Sequence, residues 1–86
     1  MGKYSKLREK ILAGGADSNI EFAELCMLLG RLEFEERVRG DHHIFTRGGV
    51  AEIINLQPKG KKAKSYQVRQ VRSILVKYRL GESHVD

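Results

Sequence analysis

His42-His43-Ile44-Phe45-Thr46-Arg47-Gly48-Gly49-Val50-Ala51-Glu52-Ile53-Ile54-Asn55-Leu56 decides the fold. Two runs with β-branched and aromatic residues, 42–47 and 50–56, flank a Gly-Gly pair that can take the backbone angles of a two-residue hairpin turn. The stretch therefore predicts two antiparallel strands. Phe34 to Arg39, just upstream, predicts a shorter strand. Pro58 and Gly60 close the sheet.

Helical periodicity surrounds this sheet. Tyr4, Leu7 and Ile11 recur at helical spacing over 3–13, and Gly14-Gly15 ends the run. Over 19–32, Phe22, Leu25, Leu29 and Leu32 form an apolar stripe, and Ser18 with Glu21 has the spacing of a capping box. Over 65–79, Val68, Val71, Leu75 and Tyr78 share one face, with Arg69, Arg72 and Arg79 off it, and Gly81 is placed as a C′ residue. The order α-α-β-β-β-α predicts an α+β fold. A small three-stranded antiparallel sheet has helices on one face, and its other face is left for a ligand. The 86 residues make one small domain: an extension helix within 1–15, a core over 19–81, and a frayed tail over 82–86 in which His84 has no expected role.

Charge is segregated along the chain. Of the formal net charge of +5, residues 1–56 contribute 8 Lys/Arg against 9 Asp/Glu, while residues 57–80 carry 8 Lys/Arg and no acid. A final helix without acidic residues leaves its cations unpaired and suggests an anionic partner. No run is long enough to span a membrane, and Met1-Gly2-Lys3-Tyr4-Ser5 lacks the apolar core of a signal peptide. Lys6 stands where a myristoylation site needs Ser or Thr. The single Cys26 excludes an internal disulfide and fits a reducing cytoplasm. Its place in an apolar helical stretch makes it a core residue rather than a nucleophile.

Two of the three histidines, His42 and His43, begin the first strong strand, after a glycine. Histidine takes and gives a proton near neutral pH, so this pair beside a basic segment suggests a site that holds a phosphate backbone and cuts it. Strand alternation sends His43 to the face opposite His42. No Asp/Glu/His cluster has metal-ligand spacing, so neither a metal nor another cofactor is expected. Paired strand histidines are more often surface groups than catalysts, and a lysine run is usually a solvated loop.

Gly40-Asp41-His42-His43-Ile44-Phe45 is similar to the Gly-Ser-His-x-x-aromatic motif of the HicA toxins, small ribonucleases of bacterial toxin–antitoxin pairs. Phe22 to Leu32 resembles the family's first core helix. Ile53-Ile54-Asn55-Leu56-Gln57-Pro58 resembles the third strand of one branch, and Gln67-Val68-Arg69-Gln70-Val71-Arg72-Ser73-Ile74-Leu75 the closing helix. The likeness covers about residues 20–81. It implies a double-stranded-RNA-binding-like α-β-β-β-α fold with an added N-terminal helix, mRNA cleavage without a metal, and a HicB-type antitoxin that neutralises the enzyme as a monomer or small complex. The family's catalytic histidine carries over to His42, with His43 the second choice and Gly40, Asp41 and Phe45 framing the motif. Two positions differ. Asp41 replaces the usual Ser, and a neighbouring carboxylate favours imidazolium. Lys59 follows Pro58 where many members carry a second histidine.

The chemistry expected of such a site is internal transfer. His42 takes the 2′-OH proton while that oxygen attacks phosphorus. Cations stabilise the phosphoryl charge, and His43 or water protonates the leaving oxygen. The cations expected to hold RNA are Lys59, Lys61, Lys62, Lys64, Arg69 and Arg72. Lys61-Lys62-Ala63-Lys64 also looks like the Lys-Lys-x-Ala-Lys signature of double-stranded-RNA-binding domains, whose lysines grip phosphates. The alternatives are therefore a non-catalytic RNA-binding module, and a protein-interaction piece whose basic face meets an acidic antitoxin.

Overall fold

The computed structural model describes residues 2–83 and 85. Helices α1 (Lys3–Ala13) and α2 (Phe22–Arg31) precede strands β1 (Glu35–Arg39), β2 (His42–Arg47) and β3 (Val50–Leu56). A small hairpin of β4 (Pro58–Lys59) and β5 (Lys62–Ala63) leads into α3 (Ser65–Lys77). The main sheet is antiparallel with order β1-β2-β3. The fold is the expected α+β arrangement.

Register fixes what each face presents. Glu36 pairs with Phe45 and Val38 with His43, while Phe45 pairs with Ile54 and His43 with Leu56. Because side chains alternate, His43 and Phe45 share a face with Ile54 and Leu56. His42 and Ile44 share the other with Ile53 and Asn55. Phe45, Ile54 and Leu56 are completely buried, whereas Ile53 is 62% exposed. The helices therefore cover one face and leave the other open. Gly40 holds φ 60 in the two-residue connection between Arg39 and His42, a conformation that strains any residue with a Cβ.

The buried stripe of α2 (Phe22, Leu25, Leu28, Leu29) meets Val68, Val71, Ile74 and Leu75 of α3 in one core cluster with the sheet. Helix α1 lies outside the HicA resemblance, yet Leu7 and Ile11 join the same core. Arg8 Nε donates to the Leu80 carbonyl at 2.8 Å. Val85 is also buried, so the tail expected to fray is anchored there. His84 lies outside the described residues.

Two expectations are corrected. Helix α2 begins at Phe22 rather than residue 19, and no side chain caps it, so the Ser18–Glu21 capping box does not form. The backbone there is engaged by the small hairpin instead: Phe22 N donates to Lys61 O and Ala63 N to Ile20 O, both at 2.9 Å. The second correction is the hairpin itself, in a segment expected only to close the sheet. Lys59 pairs with Lys62 across Gly60-Lys61. Gly30, near the end of α2, faces open space.

Candidate nucleic-acid interface

His42 leaves the β1–β2 turn on the open face, with its side chain 48% exposed. Its Nδ1 is 3.1 Å from Asn55 Oδ1 on β3. A carbonyl oxygen only accepts, so Nδ1 carries the hydrogen in the neutral ring and Nε2 carries the lone pair. Nε2 lies 3.8 Å from Asp41 Oδ1. Asp41 is held below the usual carboxylate range, first by a hydrogen bond from Gln57 and also by the charges of His42 and Lys64. A basic nitrogen thus has an ionised carboxylate beside it.

A polar network extends this pair toward the basic segment. Gln57 Nε2 donates to Asp41 Oδ2 at 2.9 Å, and Lys64 Nζ donates to Gln57 Oε1 at 3.1 Å. Beneath them Gln67, only 4% exposed, accepts from Gln57 N at 3.1 Å and donates to Asn55 O at 3.2 Å. Its amide occupies both backbone groups where β3 ends, which is what a buried polar side chain requires. The sequence alone gives no sign of the parts that Asn55 and Gln57 play. Gln67 had a signal, because it lies four residues before Val71 on the buried face of α3, where a polar residue needs a partner.

The cations divide into committed and available groups. Arg72, expected to hold RNA, forms a two-pronged ion pair with Asp17 at 2.8 and 3.1 Å and donates to Ile11 O. Its guanidinium keeps the Asp17 carboxyl below the usual range. Lys77 pairs with Glu52 at 2.9 Å and Arg79 with Glu82 at 3.2 Å. The expectation that α3 leaves its cations unpaired therefore fails for Arg72 and Lys77, because acids distant in sequence fold against them, and holds for Arg69. Lys62 donates to Asn19 Oδ1 at 2.8 Å and lies 3.4 Å from Glu21 Oε2, an oxygen with no hydrogen bond of its own. Among the described residues, the side-chain ammonium groups of Lys59 and Lys61 make no hydrogen bond or ion pair. Lys59, Lys62, Lys64 and Arg69, with Ser65 and Tyr66, line a surface groove of about 750 Å³ at the start of α3. The first turn of this 13-residue helix holds no acid. Its unpaired N–H groups add positive potential to that of the side chains.

His43 belongs to the covered face. Its Nδ1 is 2.6 Å from Glu36 Oε2, and its ring meets the Phe22 ring edge-on at 4.9 Å between centroids. A phosphate beside His42 does not reach it. Cys26 is half-buried on α2, and its thiol is pushed up to about 12, by burial first and then by the Glu36 charge. It is inert as a nucleophile at neutral pH. Cys26, Glu36 and His43 nevertheless bring their ligand atoms within 4.8 Å of one another. Sequence spacing gave no sign of this cluster, since each residue comes from a different element.

In comparisons with known proteins, no family model, curated protein or solved structure matches the chain. A functional reading must stand on the site. Among the described residues, no helix is long and apolar enough to cross a membrane.

Proposed function

We propose that the chain is a HicA-like endoribonuclease, an mRNA interferase that cuts mRNA without a metal and is neutralised in the cytoplasm by a HicB-type antitoxin. The observation that carries this reading is the continuous polar path His42–Asp41–Gln57–Lys64, which joins an exposed base to a cationic groove. Nε2 of neutral His42 takes the 2′-OH proton. The 2′ oxygen bonds to the adjacent phosphorus and the bond to the 5′ oxygen breaks, leaving a 2′,3′-cyclic phosphate. Asp41 meets the imidazolium charge, and Lys64 stabilises the phosphoryl oxygens. Water protonates the leaving oxygen, since His43 is on the other face. Lys59 and Arg69 hold the backbone further along. The antitoxin covers the open face, which His42 and Asn55 share with the exposed Ile53.

The test is incubation of the purified chain with an mRNA and no added metal. The expected products end in a 2′,3′-cyclic phosphate, and a 2′-deoxy sugar at the cut site blocks cleavage. RNA binding with steep salt dependence and no cleavage favours the second reading, a non-catalytic RNA-binding module. That reading draws on the groove, whose lining does not include His42. Absence of both binding and cleavage leaves a protein-interaction piece.

A further inference from the structure

We infer that Cys26, Glu36 and His43 form a binding site for a thiophilic divalent cation of the Zn²⁺ class. The three residues come from α2, β1 and β2, and their ligand atoms all lie within 4.8 Å of one another. They offer one sulfur, one imidazole nitrogen and one carboxylate oxygen. This donor set suits Zn²⁺ and leaves a fourth position for water. The sulfur discriminates against Mg²⁺ and Ca²⁺, which take oxygen ligands.

The surroundings are those of a supported site with access. The edge-on Phe22 ring fixes the plane of His43. The His43 and Glu36 side chains are 25% and 38% exposed, which gives an ion a path from solvent. Bond lengths of a tetrahedral zinc site put donors roughly 3.3–3.8 Å apart. The 2.6 Å contact between His43 and Glu36 must therefore open and the sulfur must approach, movements within reach of side-chain rotation. The thiol proton leaves to solvent on binding, and no oxidant is involved. All five residues of the outer strand β1 are exposed, so a bridge from Glu36 to Cys26 ties this strand to α2. His42 is on the opposite face, so the ribonuclease reading stands or falls separately.

Titration of the purified chain with Co²⁺ tests the site, with Zn²⁺ then displacing it. The wild type is expected to show thiolate-to-cobalt charge-transfer absorption and tetrahedral ligand-field bands, and Zn²⁺ is expected to raise its melting temperature. Cys26→Ser removes the charge-transfer band. Glu36→Gln and His43→Gln each weaken affinity at least ~10-fold, the lower end of what even outer partners of a metal contribute. His42→Gln leaves it unchanged. Glu36 is partly exposed on an edge strand, so its variant keeps the test alive should Cys26→Ser not fold. No cobalt binding, binding without a thiolate band, or affinity that depends on His42 as much as on His43 overturns the proposal.

Discussion

His42 and His43 are consecutive residues in different chemical settings. His42 lies on a face without helices, where Asn55 orients its ring and Asp41 lies near its free nitrogen. His43 is pressed against Phe22 and bonded to Glu36. Ile53 and Ile54 repeat the contrast on β3, one 62% exposed and one fully buried. A strand's two-residue period is enough to split one sequence motif between an open face and a face covered by helices. Sequence proximity is therefore poor evidence that two histidines act on one phosphate.

The contrast between faces is most easily broken by stability. Ile54→Ala should cost about 2–5 kcal/mol in chemical denaturation, the range for a large-to-small change in a packed core. Ile53→Ala should stay within about 0.5 kcal/mol. Similar losses for both would mean that the open face is covered in solution.

Gln67→Ala comes next. It leaves Gln57 N and Asn55 O without their partner. An unsatisfied buried group costs ~1–3 kcal/mol. The same change should slow any RNA cleavage, because Asn55 and Gln57 support His42 and Asp41. A variant of normal stability and normal rate would show that the two faces are not linked through this amide.

Most of the sheet could be read directly from the sequence. The bounds of α1, β2 and β3 match the expectation, because each combines clear periodicity with a glycine boundary. The β4–β5 hairpin was not legible: two-residue strands are too short to show alternation. The false start of α2 has the same origin, since the hairpin takes the backbone of Ile20 and Phe22. Part of the site was also legible. Strand alternation places His42 on the open face, but Asn55, Gln57 and Gln67 become visible only when β3 is laid beside α3. Linear charge misled most. Arg72, Lys77 and Arg79 look free in sequence and are neutralised by Asp17, Glu52 and Glu82.

That division of cations gives a graded prediction. Replacing Lys59, Lys64 and Arg69 with Ala should weaken RNA binding about equally across sequences. It should lower the slope of log affinity against log salt by roughly 0.7 per lost contact on single strands. Arg72→Ala should leave that slope unchanged and lower stability instead. Filter binding at several salt concentrations separates the two, and an equal slope change for Arg72 would place it back among the RNA contacts.

The smallest effect is expected at acid pH. Glu52 is lowered to about 2 by its hydrogen bonds from Lys77 and then Tyr78. A depressed folded value stabilises the fold above the ordinary carboxylate range, and this contribution fades as pH falls toward 2. The melting-temperature gap between wild type and Glu52→Gln should therefore be constant near neutrality and shrink between about pH 4.5 and 2. A gap that does not change with pH would assign the effect to packing rather than charge.

The most direct test of a catalytic open face compares two single variants on the same RNA. His42→Ala should reduce the single-turnover cleavage rate by about 10²–10⁴, the usual contribution of a positioned acid–base group. His43→Ala should leave most of the rate, with circular dichroism confirming that both variants fold. Loss of cleavage in His43→Ala with His42→Ala still active would contradict the account.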